Sequence, residues 1–198
     1  MGNIWNIKDR YKYVMSNEPS AQVRASVNYM PGSGRGLICG GRNSSAAKID
    51  NIDMVHIPTL GNAVDFGNLT TATMNGATLS SMTRALVGGG EINASTNVIQ
   101  SIEMASSGNM ADFGDLDAAK SQQGALSSST RGVWGGYYPA ANVIQYVTIA
   151  SAGNTSDFGD LTSARYDATG ASSPTRGVFM GGSGASDVID YITIASTG

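Results

Sequence analysis

Three Asp-Phe-Gly triplets, beginning at Asp65, Asp112 and Asp157, and the glycine-rich run Pro31-Gly-Ser-Gly-Arg-Gly36 are the segments of this chain that come nearest to phosphate and magnesium chemistry. A magnesium-holding triplet works with a catalytic His-Arg-Asp loop and a lysine-bearing strand. Neither accompanies these triplets, which recur at the period of a longer repeat. Each is therefore read as a turn made by Asp and Gly, with the Phe packed between repeated units. The glycine-rich run lacks the Gly-Lys-Ser/Thr ending of a phosphate loop and precedes an apolar strand pattern, so it is read as a loop entering that strand.

The remaining candidates for chemistry follow the repeat as well. Asp112, Asp115 and Asp117, or Asp157 and Asp160, have the types needed for a calcium site or for paired acid and base work. Diluted by Ser, Thr and Asn, they read as a solvated loop face, with a weak calcium site as the alternative. His56 is the chain's one histidine and stands in an apolar strand pattern, which suits a packed or edge imidazole better than a metal ligand. Cys39 fills the position that Gly88, Gly135 and Met180 fill in the other units, a structural slot rather than a nucleophile's. As the lone cysteine it excludes an intrachain disulfide framework and a cysteine-based zinc site. Arg35, Arg84, Arg131 and Arg176 allow a ring of positive charge for an anion. Their structural alternative is bonding to loop carbonyls or to the Asp of a neighbouring triplet.

The elements that position these residues come from one repeat. Arg35-Gly-Leu-Ile-Cys-Gly-Gly41, Arg84-Ala-Leu-Val-Gly-Gly-Gly90, Arg131-Gly-Val-Trp-Gly-Gly136 and Arg176-Gly-Val-Phe-Met-Gly-Gly182 are spaced by 49, 47 and 45 residues. A di-glycine after a short apolar run at this period points to propeller blades. Each is followed by a β-branched segment, of which Asn142 to Ala150 is one, whose two faces are both apolar, as in a strand between neighbouring sheets. The triplets form a third element, absent after the fourth unit. A fourth, at Thr73 to Leu79, Ser121 to Leu126 and Tyr166 to Ala171, is short and polar and reads as an exposed edge strand. Arg24 precedes Arg35 by 11 residues, as Arg165 precedes Arg176. Gln22 to Met30 is therefore expected to pair with Asp187 to Ala195 and close a four-bladed ring from one chain, because an unclosed ring leaves an open edge. Two chains joined in an eight-bladed ring are the alternative.

Composition agrees with this picture. Twenty-six glycines in 198 residues and 14% charged residues favour turns and close backbone contacts. A net charge of −3 with 41% hydrophobic residues argues against disorder and against phosphate-driven nucleic-acid binding. No apolar run is long enough to span a bilayer and no signal-peptide core is present, so neither membrane insertion nor signal-led export is expected.

The di-glycines, the Tyr positions of the following strand (Tyr146, Tyr191), the aromatic of the third element (Phe66, Phe113, Phe158) and the Leu and Arg beyond it resemble the kelch repeat. Val188-Ile-Asp-Tyr-Ile-Thr-Ile-Ala-Ser-Thr-Gly198 and Asn154-Thr-Ser-Asp-Phe-Gly-Asp-Leu-Thr-Ser-Ala-Arg165 are similar to the kelch-like repeats of tailed-bacteriophage virion proteins. The resemblance covers about residues 20–198 and implies an all-β, small kelch-like β-propeller. It also implies a non-enzymatic structural role in the virion's tail, fibre or appendage, after synthesis in the host cytoplasm, with neither cofactor nor metal. Other virion structural proteins are the implied partners.

Residues 1–19 stand outside the repeat as an N-terminal arm, and residues 20–198 form the propeller. The first 30 residues carry a balance of +2 and the rest −5. Ile4, Ile7, Tyr11 and Val14 follow helical spacing, with Trp5 and Tyr13 beside them and Lys8, Arg10 and Lys12 interleaved. So short a segment is marginal as a helix in water and is ordered by docking, on its own propeller or on a partner. The loops after the di-glycines differ where the strands agree, which suits recognition. Arg42, Asn43, Glu91, Asn93, Tyr137, Tyr138 and Ser183 are the candidate contacts. They give the alternative function of a receptor- or carbohydrate-binding module at a fibre tip, facing a host-surface glycan or receptor.

Overall fold

The computed structural model describes residues 34–59, 61–183 and 187–197, and these form fourteen strands in four antiparallel sheets, with no helix among the described residues. The arm and Gln22 to Met30 lie outside the described residues. So do Gly184 to Ser186 of the fourth variable loop.

The first sheet holds β1 (Arg35–Arg42), β2 (Lys48–His56) and β3 (Val64–Asn68). The second holds β4 (Ala77–Ser80), β5 (Arg84–Gly88), β6 (Thr96–Glu103) and β7 (Ala111–Lys120). The third repeats that order in β8 (Gly124–Ser127), β9 (Arg131–Tyr137), β10 (Ala141–Thr148) and β11 (Ser156–Arg165). The fourth holds β12 (Thr169–Ser172), β13 (Arg176–Met180) and β14 (Ile189–Thr193). Each sheet is a meander in chain order, as expected when short connections join strands of alternating direction.

One positional reading is corrected in part: of the short polar strands expected as exposed edges, β4 and β8 bury alternate residues, whereas β12 is exposed. β4 packs against β8 and β8 against β12, so these short strands are where consecutive sheets meet. Their hydroxyls are engaged there: Ser127 Oγ donates to Ser80 O and Ser172 Oγ to Ser127 O, each at 2.7 Å. Their apolar residues Leu79 and Leu126 are buried over Gly132 and Gly177 of the following sheet.

The Asp-Phe-Gly triplets are also not turns. They lie within β3, β7 and β11, where the Phe is buried and the Asp exposed. In β7 Asp112 pairs with Gln100 and Gly114 with Ile99, so Phe113 is the extra residue of a bulge. Gly114 adopts φ 148°, a conformation open to glycine, and a side chain there would strike the backbone of Gly153 in the next sheet. Gly153 N donates to Phe113 O at 2.8 Å, and Gly108 N to Phe66 O likewise, so β3 and β7 are each hydrogen-bonded to a loop of the following sheet.

Three cores result, one per junction. Ile52, Phe66 and Leu69 of the first sheet meet Ala85, Val87, Ile102 and Met104 of the second. Ile99, Phe113 and Leu116 meet Trp134, Val147 and Ile149 of the third. Ile144, Phe158 and Leu161 meet Phe179 and Ile194 of the fourth. The doubly apolar β-branched segment, β6 and β10 in the second and third sheets, is thus explained by burial between sheets.

Candidate functional site

The arginines that start β1, β5 and β9 bind carbonyls across a junction. Arg35 Nη1 donates to Met104 O, Arg84 Nη1 to Ile149 O at 3.0 Å and Arg131 Nη1 to Ile194 O at 2.7 Å. Arg84 also bonds Glu103 Oε1 at 2.8 Å. The guanidinium of Arg131 lies 4.2 Å from the Tyr146 ring centroid and that of Arg176 4.9 Å from Tyr191. With their donors turned to carbonyls, Arg35, Arg84 and Arg131 follow the structural alternative rather than an anion ring. Arg84→Ala removes a half-exposed pair and one carbonyl bond, so it is expected to cost about 1–2 kcal/mol in urea denaturation.

A second polar ladder escaped the sequence reading because it joins residues about 30 positions apart. Gln100 Oε1 accepts from Thr70 N at 2.7 Å, Gln145 Oε1 from Asp117 N at 3.2 Å, and Asp190 Oδ1 from Thr162 Oγ1 at 2.6 Å. Lys120 and Arg165, both fully buried, end the triplet strands and enter the next sheet. Arg165 Nη2 lies 2.5 Å from Asp190 Oδ2. Lys120 Nζ lies 2.5 Å from Asp117 Oδ1, an ion pair in distance though not in hydrogen-bond direction, and 4.3 Å from the centroid of Tyr137. The signal available in sequence was the series Thr73, Lys120, Arg165 at one position of the repeat.

Cys39 packs with the first core, and burial pushes its thiol up to about 11. The folded state thus holds this proton more tightly than the unfolded chain, whose thiol ionises near 9. Its contribution to stability is present below pH 9 and lost as pH rises toward 11. The native chain is expected to react with a thiol-disulfide reagent at pH 8 far more slowly than the urea-unfolded chain; equal rates would contradict the burial. His56 is exposed, with Nδ1 3.0 Å from Thr59 Oγ1.

The variable loops all leave the same end of their sheets, opposite the arginines, because each follows the di-glycine end of an equivalent strand. Glu91 bridges to Met74, Tyr138 to Ser121 and Ser183 to Tyr166. Arg42 donates from Nε to Met74 Sδ at 2.8 Å, and Asn43 Oδ1 accepts from Ser45 N and Ala47 N, closing its own loop. Glu91 Oε1 accepts from Asn75 Nδ2 at 3.1 Å, while Asn93 is exposed. Three turns next to these loops put Asn75, Gln122 and Asp167 at positive φ. Gln122 N donates to Asn75 O, and Asp167 N to Gln122 O, linking consecutive units.

The most developed part of this rim lies between the third and fourth units. Tyr138, half exposed, stands edge-on to Tyr166 with ring centroids 5.2 Å apart. Gln122 Nε2 bonds Asp167 Oδ2 at 3.3 Å beside them. Tyr137 is instead engaged with Lys120. An exposed tyrosine backed by a partly buried one and flanked by an amide and a carboxylate can stack on an apolar ring face and bond its hydroxyls. No family model matches the chain, and no curated protein matches it.

Proposed function

We propose that the four sheets are blades of a kelch-like β-propeller and that the protein is a non-enzymatic structural component of a tailed-phage virion, held by its N-terminal arm. The observation that carries the non-enzymatic reading is the engagement of the repeated polar residues. Arg35, Arg84 and Arg131 hold carbonyls of the next sheet, Gln100, Gln145 and Asp190 receive the triplet strands, and the Phe of each triplet is core. The virion setting rests on the resemblance of the repeat.

In this reading the arm is the attachment segment. Its aromatic and aliphatic stripe, with Lys8, Arg10 and Lys12, suits a partner groove with an acidic rim. Removing residues 1–14, or changing Trp5 and Tyr11 to Ala, is expected to leave the β-sheet circular dichroism intact and to abolish incorporation into particles. Normal incorporation of the truncated chain would move the attachment surface to the sheets.

The second reading, a glycan- or receptor-binding module, is favoured by one observation, the exposed Tyr138 edge-on to Tyr166 beside Gln122 and Asp167. Glycan-array binding that is lost in Tyr138→Ala while the arm is intact would support it over a purely structural role.

A further inference from the structure

We propose that two copies of this chain associate head to tail, the fourth sheet of each seating on the first sheet of the other through a junction of the kind that recurs three times within the chain. The association needs no virion partner and is independent of where the protein acts.

Every internal junction places one residue, three positions after the repeated arginine, into the preceding sheet. Val87, Trp134 and Phe179 are these knobs, and they are 2%, 0% and 0% exposed. The residue that receives them stands one position beyond the equivalent knob. Trp134 sits over Gly88, where an added Cβ would lie 2.8 Å from the indole, and Phe179 sits over Gly135 at 2.9 Å. Val87 shares a core with Cys39. Aromatic knobs therefore meet empty glycine sockets, and the aliphatic knob meets a socket already filled by a side chain.

One knob and one socket remain. Ile38 is the knob of the first sheet and Met180 the socket of the fourth, again an aliphatic knob with a filled socket. Among the described residues both faces are exposed. Ile38 is 53% exposed, and Ile189, whose counterparts Ile52, Ile99 and Ile144 are at most 1% exposed, is 66% exposed. Ile57 is 70% exposed where its counterparts Met104, Ile149 and Ile194 are at most 3%. Arg176 is exposed, and the carbonyl that its counterparts bind in the following sheet would be that of Ile57. Ala171 likewise is exposed where Leu79 and Leu126 pack over Gly132 and Gly177, and Gly36 is the matching glycine of the first sheet.

These faces are complementary to each other and not to themselves, which makes the contact heterologous. Among the described residues nothing covers either end, and each end presents what the other receives, so the occupant is a second copy. Two copies supply eight sheets, within the four to eight blades typical of propellers, whereas three would exceed it. Two such junctions then close a ring with no exposed apolar end.

Sedimentation of the full chain at micromolar concentration tests this. A particle of two chains is expected, reduced to one chain by Ile38→Asp and by Ile189→Asp, each with its β-sheet circular dichroism retained. Oxidised Ile38→Cys/Met180→Cys in a Cys39→Ser background is expected to run as a covalent two-chain species. A wild-type chain that sediments alone, or a cysteine pair that links within one chain, would overturn the proposal and show that the chain, with residues 1–33, covers its own ends. Open-ended higher species would equally refute the two-chain ring.

Discussion

Arg165→Ala is expected to destabilise the fold by about 3–5 kcal/mol, the range for breaking one partner from a buried ion pair. Arg165 is fully buried at the end of β11, and its Nη2 donates to Asp190 Oδ2 at 2.5 Å and to Phe179 O at 3.4 Å. Asp190 is 8% exposed and also receives Thr162, so without the guanidinium its carboxylate stays buried beside neutral donors only. The reverse change, Asp190→Ala, should cost at least as much, because Arg165 Nε and Nη1 already lack hydrogen-bond partners among the described residues. Since the pair joins the third sheet to the fourth, the loss should appear as a lower urea midpoint and as earlier proteolysis of residues 169–197. Arg165→Met with Asp190→Leu separates the mechanisms. A buried pair replaced by apolar groups of similar size is often neutral, so the double variant should recover most of the loss. If Arg165→Ala falls within about 1 kcal/mol of wild type, the pair behaves as an exposed bridge and the junction is held by apolar contact alone.

The period, the strand content and the burial of Phe66, Phe113 and Phe158 were legible in sequence because they depend on local pattern. What was not legible is which strand faces which. The short fourth element read as an exposed edge because it is polar, yet Ser127 and Ser172 in its strands bond carbonyls of the neighbouring sheet. Asp-Phe-Gly read as a turn because Asp and Gly favour turns, whereas here the glycine opens a bulge that lets one backbone touch another. The Arg165 and Asp190 pair was hidden for a different reason. Its members are 25 residues apart and belong to different sheets, and nothing in either local pattern marks a charge as buried. Arg35, Arg84 and Arg131 follow their structural alternative, because a residue fixed by the period serves the repeat before it serves a ligand. Of the seven loop candidates, Tyr138 is the one that gains an edge-on aromatic neighbour, Tyr166. Tyr166 was seen only as the start of a strand.

The size match between knob and socket leads to the second large effect. Trp134→Val is expected to cost about 3–5 kcal/mol, near the range for emptying a buried Trp site, because its indole fills the space over Gly88 and its Nε1 donates to Ala77 O at 3.0 Å. Gly88→Cys alone is expected to cost about 1–3 kcal/mol by overpacking, since a Cβ there would meet three indole atoms within 2.9 Å. Made together, the two changes install in the second junction the Cys and Val pairing that the first junction uses at Cys39 and Val87. The new thiol then occupies part of the volume that the indole vacates, so the double variant should be more stable than Trp134→Val by itself. In a double-mutant cycle the expected coupling is at least about 1 kcal/mol in the favourable direction. Additive losses would mean that the sockets tolerate any knob. In that case Met180 and Ile38 would carry no information about each other, and the head-to-tail junction would rest on its exposed apolar residues and on Arg176 alone.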